Sequence, residues 1–417
     1  MNPSLRDRAI DGAFLVAMAG VAWLAVFGHR GVAPCVGVMA LAAALRARVW
    51  RDGFSLLAPS RLIRDPLSIA AVAGLAFTIW IAITRFWSPT PDADWLALTV
   101  LVAILSPGAI AHEAAHAAPR RAGRLAAIFA IAVTTAAALL LFEGLSGGYW
   151  RSVTPPVDAT PLRGKDMIAL GRGVTAIGPL VFAAAVILKR VTGSWAVALA
   201  PAAALFVAAA QFSIFSNTLA LCAGIAAFAL ALGRPRAAIL VLAALFLLAL
   251  AATPFIAAAL PVETVFDNGS VAPASWEQRL VVWREAGARA LGECWPVGCG
   301  ADYARAWSSE GAMINVPGSA VPLPAMPTHP HNLFLQVWLE LGVPGVVFFA
   351  IAIAAGAIAL RRARLDALTM AAITGAVGFS FISVMIEFSL WQVWRLAGFA
   401  LAAFGAAVSY SFNKLKQ

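Results

Sequence analysis

The chain has 417 residues, of which 62% are hydrophobic and 12% charged, with a mean hydropathy of +0.86. A soluble domain carries about 25% charged residues and could not bury so much apolar surface, so a water-soluble enzyme is excluded, and the net charge of +10 does not point to nucleic acid. Lipid offers no water to backbone groups, which leaves helices of about 20 residues that close their own hydrogen bonds.

Apolar runs follow in chain order near 11–27, 31–45, 67–84, 95–112, 125–142, 169–188, 194–211, 215–232, 237–260, 333–360, 367–386 and 389–410. The expected fold is an all-α polytopic membrane protein of about twelve transmembrane helices. The second run is short, and the seventh and eighth are divided only by Gln211, Ser213, Ser216 and Asn217. In this reading residues 1–260 hold helices 1–9 with an outer loop at 143–168. Residues 261–332 form a long, partly helical outer loop, and 333–417 hold helices 10–12.

Basic residues orient the bundle, because short cytoplasmic loops carry the positive excess. Arg6 and Arg8, Arg46 to Arg64, Arg120 to Arg124, Lys189 and Arg190, Arg234 and Arg236, Arg361 to Arg364, and Lys414 and Lys416 all fall on one side. Both termini are then expected to be cytoplasmic, and the two long loops to face the opposite, outer side. The first run lacks a small-x-small cleavage site and reads as a retained helix.

Within 261–332, a helix is expected from Ser275, as N-cap, to Leu291. Trp276, Leu280, Trp283, Gly287 and Leu291 would share its apolar face, resting on the membrane surface or over the bundle. Cys294 and Cys299 share this loop, either as a small disulfide ring or as two thiols; spacing alone does not choose.

Ionised groups inside spans are functional candidates because they are expensive there. Arg172 lies about one turn into the sixth span and Arg395 about two turns into the twelfth, with Glu387 as a local partner. Arg279, at the edge of the loop helix's apolar face, is suited to a bidentate grip on phosphate, and Arg284 on the same helix is a further binding candidate. The densest polar cluster is His329-Pro330-His331-Asn332, followed by Glu340, Gly342 and Gly345. A histidine there can act as a base near neutral pH, with Asn332 fixing the chain or the imidazole tautomer.

His112-Glu113-Ala114-Ala115-His116 fits H-E-x-x-H, the zinc motif of metalloproteases. It falls at the inner end of the fourth span. A third ligand is missing, since the late aspartate Asp366 is followed by Ala367 in a basic loop. The expectation is therefore no metal and no cofactor.

The segment His329-Pro-His-Asn332-Leu-Phe-Leu-Gln-Val-Trp-Leu-Glu340-Leu-Gly342-Val-Pro-Gly345 resembles the signature of the O-antigen ligase and polymerase superfamily. Arg279-Leu-Val-Val-Trp283, then Trp295-Pro296-Val-Gly298-Cys-Gly300, is similar to that family's Arg-x-x-x-Trp stretch and Pro-x-x-Gly-x-Gly turn. Gly171-Arg172-Gly173 resembles the Asn-Arg-Gly of the ligase branch and departs from it at the Asn. The resemblance implies metal-independent, inverting transfer of a polysaccharide from undecaprenyl diphosphate to a lipid A-core sugar at the outer face. His331 would be the base, and Arg172 and Arg279 would act on the diphosphate. Arg284, Arg395, His329 and Asn332 would help to hold the substrates.

The ligase branch is favoured by the Arg-Gly at 172 and 173 and by the single dominant outer loop. A polymerase of the same superfamily is the alternative, and a metalloprotease or a transporter with charged intramembrane pathways would be a different class. Orientation is testable at once. A cysteine introduced at position 160 or 315 is expected to react with an impermeant reagent from outside, and one at 235 is not; outside labelling at 235 would overturn the orientation.

Overall fold

The computed structural model describes residues 3–62, 64–91, 95–153, 163–212, 214–267 and 272–414. Each apolar run of the sequence becomes helix. Among the described residues ten helices are long and apolar enough to cross a bilayer, or eleven if the bent pair His29–Ala44 and Arg48–Ser55 is one span. The expectation of about twelve is corrected at the two shortest runs. Val32–Ala44 has only 13 residues, about 20 Å of rise, and Trp195–Gln211 has 17. Part of the outer loop expected at 143–168, from 154 to 162, lies outside the described residues.

The most enclosed span is Met167–Thr192, broken by a short 3-10 turn at Gly178–Leu180. It packs among Pro119–Ser146, Trp195–Gln211, Ala367–Ile386 and Val393–Asn413. Small residues allow this density. At Gly173 a methyl group would stand 1.9 Å from the Ala25 carbonyl oxygen, so the first helix meets this span backbone to backbone.

The long loop connects Pro235–Ala258 to Leu333–Arg362 and contains the helices Val262–Asp267, Ala274–Leu291 and Tyr303–Ser309. The antiparallel pair Met313–Ile314 with Leu323–Pro324 completes it. The loop helix starts at Ala274 with Pro273 at its N-cap, so Ser275 does not cap it. Its buried face is also rotated from the expected one. Val282, Ala286 and Ala290 are buried and Trp276, Leu280 and Leu291 only partly so, because the helix docks on Pro235–Ala258. Gly287 permits that docking, since a methyl group there would reach within 2.6 Å of the Ala258 backbone nitrogen. Cys294 and Cys299 form the disulfide, with their Cα atoms 4.8 Å apart.

That ring serves a helix break. Leu333–Gln336 continues into a π-helical turn at Val337–Leu341 before Gly342–Arg362 resumes as α-helix. A break in a span frees carbonyls that lipid cannot satisfy. Here Cys299 N–H donates to Leu339 O (2.9 Å), Gly300 N–H to Glu340 O (3.0 Å) and the Trp80 indole to Leu341 O (2.7 Å). Gly298 and Gly342, both at positive φ, make the approach possible: a methyl group on Gly298 would lie 2.4 Å from Glu340 O, and one on Gly342 2.3 Å from Pro296 O.

At the opposite end of the bundle Glu113, fully buried, accepts from Arg46 (3.2 Å), Arg48 (2.8 Å) and Arg121. His112 Nε2 lies 2.9 Å from Asp52, and His116 Nδ1 donates to the His112 carbonyl at 2.9 Å. Glu113 thus works as the centre of a buried ion cluster joining three segments. Glu113→Ala removes the buried acceptor that the three guanidinium groups share, leaving Arg46 with Asp7, Arg121 with Asp11 and Arg48 with the His116 carbonyl, and is expected to cost about 3–5 kcal/mol, measured by unfolding in detergent; a loss below about 1 kcal/mol would show that the cluster is not structural.

Candidate active site

The polar segment His329–Asn332 enters the bundle where the interrupted helix begins. Asn332 is buried and caps that helix, its Oδ1 accepting from Leu335 N–H at 3.1 Å. The Trp283 indole on the loop helix donates to Pro330 O at 2.8 Å and ties the segment down from the other side. Held at both ends, His331 takes a left-handed backbone conformation, φ 56°, which side chains other than glycine adopt at a cost. Its ring lies 4.2 Å, centroid to centroid, from that of His329.

Both imidazoles are pushed toward the neutral form. For His331, burial drives the pKa well below its usual value, aided by His329 and by the charges of Arg279, Arg395 and Arg172. For His329, burial and then Arg395, Arg305 and Arg279 push it down to about 3. The electrostatics show that the loop helix, the enclosed span and the last helix converge on this point.

The three arginines are held differently. Arg279 donates to Ser275 O of its own helix at 3.3 Å and stands 5.4 Å from the Trp276 ring, and its buried Nε has no hydrogen-bond partner among the described residues. Arg172 is half-buried, and among the described residues its guanidinium makes no hydrogen bond or ion pair. Arg395 is buried against Glu387 (3.3 Å), Ser383 Oγ (3.2 Å) and the Trp394 ring (4.6 Å). The last helix begins at Val393 rather than 389, so Arg395 occupies its first turn and is not two turns deep. Arg284 stands apart, its guanidinium engaged by Glu263 and Glu285. The site therefore gathers His331, His329, Asn332, Arg172, Arg279 and Arg395, and leaves out Arg284.

Several supports were not singled out from sequence. Asn217 donates to Gly171 O (2.6 Å) and accepts from Thr175 (2.8 Å), fixing the turn that carries Arg172. Ser216 donates to Glu387, the partner of Arg395. The signal was present as a polar pair inside an apolar run, read only as a divider between spans. Gln392 Nε2 lies 3.0 Å from His329 Nε2. Glu340, which the sequence placed beside the histidine segment, is buried in the π turn and accepts from Asp302 N–H (3.0 Å), Gln336 (3.1 Å) and the Trp391 indole (2.9 Å). Gln336 in turn accepts from Leu390 N–H at 3.0 Å, so the final connection is hung on the interrupted helix.

Fold and site together define a polytopic α-helical membrane protein with a cationic, histidine-bearing centre under a folded loop. A family model described as O-antigen ligase matches residues 180–350, spanning the end of the enclosed helix, the long loop and most of the interrupted helix. Over that stretch the chain is similar to the O-antigen ligase family, in the superfamily that the sequence motifs resemble. A comparison with curated proteins gave no match.

Asn332 was a substrate-binding candidate, and its observed contact is a helix cap. Asn332→Ala is expected to lower stability by about 1 kcal/mol while Asn332→Ser retains most of it, read by thermal unfolding in detergent. Equal loss in both variants would show that the cap is not what the position provides.

Proposed function

We propose that this chain is an O-antigen ligase. In this reading it transfers a polysaccharide from undecaprenyl diphosphate to a lipid A-core sugar at the periplasmic face of the inner membrane, in lipopolysaccharide biosynthesis. The observation that carries the reading is the convergence of a neutral, conformationally fixed His331 with arginines from three separate parts of the chain. Two of these, Arg172 and Arg279, form no ion pair with a carboxylate among the described residues.

An acceptor hydroxyl attacks the anomeric carbon, and its proton passes to His331. The bond from that carbon to the diphosphate oxygen breaks, and the electron pair leaves with the diphosphate. Arg172 and Arg279 offset the charge that grows on the leaving group, the stabilisation that a metal supplies in other transferases. A single in-line displacement inverts the anomeric centre. Arg395, already paired with Glu387, shapes the field more than it grips. His329 and Asn332 position the segment that carries His331. The same geometry would serve a polymerase, whose acceptor is another lipid-linked repeat. A surface-glycan gel of a deletion strain decides: accumulation of full-length lipid-linked chains with no ligated polymer supports the ligase, and single repeats on the core support the polymerase.

Two outcomes follow for reconstituted protein. His331→Ala is expected to keep donor binding while transfer falls by roughly 10²–10⁴. Arg172→Ala and Arg279→Ala should weaken donor binding and transfer together, with only partial rescue by Lys, because an ammonium lacks the bidentate fork. Normal transfer by His331→Ala, or a larger loss for His329→Ala, would show that the base is misassigned. The pH profile gives the second outcome. His331 must be neutral to act and its pKa in the free enzyme is lowered, so activity is present above that value and is lost only as the pH falls through it. The acid limb of kcat/KM should therefore lie below about 6.5, the ordinary imidazole value; a limb at or above that value would contradict the assignment.

A further inference from the structure

At the end of the bundle opposite the histidine site, two adjoining cavities lie along the helix Gly342–Arg362. One, of about 610 Å³, is lined by Arg236, Ile358, Arg361 and Arg362. The other, of about 350 Å³, is lined by Arg64, Pro66, Ile69, Ile351, Ala354, Ala355, Ile358 and Arg362. Ile358 and Arg362 belong to both, so the two form one groove.

The groove is amphiphilic along its length. Arginines from three segments (Arg64 before Pro66–Thr84, Arg236 in the first turn of Pro235–Ala258, and Arg361 and Arg362 at the end of Gly342–Arg362) gather at its mouth. None of the four makes a side-chain ion pair or hydrogen bond with a described residue. Below them the walls are Ile69, Ile351, Ala354, Ala355 and Ile358, and Ile351 and Ile358 are exposed. From Ile351 to Arg362 the helix rises about 16 Å, close to half of a hydrocarbon core of about 30 Å. This helix packs mainly on Pro66–Thr84 and Pro235–Ala258, and little of its span is enclosed.

The positive-inside bias explains why arginines end these helices, and not why four unpaired ones ring a concavity with an apolar floor of leaflet depth. We infer that this groove is a binding site for an anionic bilayer phospholipid. Its phosphate sits among Arg236, Arg361, Arg362 and Arg64, and an acyl chain lies along Ile351, Ala354 and Ile358. The site is independent of glycan transfer and stands whichever acceptor the enzyme uses.

The test uses the full chain, purified and stripped of lipid in a neutral detergent, with binding read by native mass spectrometry and by thermal stabilisation. The probes are phosphatidylglycerol, cardiolipin, phosphatidylethanolamine and a polyisoprenyl monophosphate. Saturable binding of phosphatidylglycerol or cardiolipin, and not of phosphatidylethanolamine, is expected. Combined Arg236→Gln, Arg361→Gln and Arg362→Gln should weaken it by on the order of 100-fold. Ala354→Trp, which fills the floor with every charge in place, should weaken it as well, while Arg120→Gln should leave it unchanged. All of these positions except Ala354 are exposed, so lipid-free melting of the charge variants should match the parent protein. Equal binding by the triple variant, an equal loss in Arg120→Gln, or preference for the polyisoprenyl monophosphate would each overturn the inference.

Discussion

The rest of the site depends on a span that is allowed to break. Between Val337 and Gly342 the helix widens and turns, and in lipid the released carbonyls would be left without partners. The Cys294–Cys299 ring, the backbone of 299–300 and the Trp80 indole supply those partners. Because the loop must reach into the bundle to do this, it brings the loop helix and Arg279 with it. Because the break keeps its first turn at a fixed height, the residues before Leu333 emerge where Trp283 can hold Pro330. Glu340 closes the arrangement from below by accepting from both the loop and the final connection.

On this frame the molecule collects positive charge and leaves it largely uncompensated. Glu387 is the one carboxylate paired with the site's arginines among the described residues, and it engages Arg395. Arg172 and Arg279 retain their capacity for an anion, and the neutral imidazoles between them add no charge of their own. In the proposed reaction a site so biased would bind the diphosphate before chemistry and resist its departure afterward, which makes release of the lipid carrier a natural place for slow turnover.

Much of this was legible in the chain. Run length located the long helices while overcounting spans at two short runs, and the intramembrane cost of charge picked out Arg172 and Arg395, the latter in the first turn of its helix and not two turns deep. The resemblance around His329–Gly345 pointed to the polar segment that the structure sets near Arg279, Arg395 and Arg172. What failed did so for tertiary reasons. The loop helix turned a different face inward because it docks on protein rather than on a membrane surface, and Pro273 took the N-cap expected of Ser275. Arg284 was a further binding candidate on the helix of Arg279, and Glu263 and Glu285 engage its guanidinium. At the H-E-x-x-H match, Arg46, Arg48 and Arg121 pair with Glu113, an approach that no local pattern records.

That ion cluster has a consequence in the plane of the membrane. At the end opposite the histidine site, Arg46, Arg48 and Arg121 are matched with Glu113, Arg124 with Asp11 and Arg190 with Asp366. Arg64, Arg236, Arg361 and Arg362, around the end of Gly342–Arg362, have no such match among the described residues. The positive charge that sequence counting spreads evenly over one face is therefore lopsided, muted on one flank and open on another. In a two-dimensional solvent of mixed lipids such a protein carries a sideways polarity, and its neighbours would sort themselves around it by headgroup.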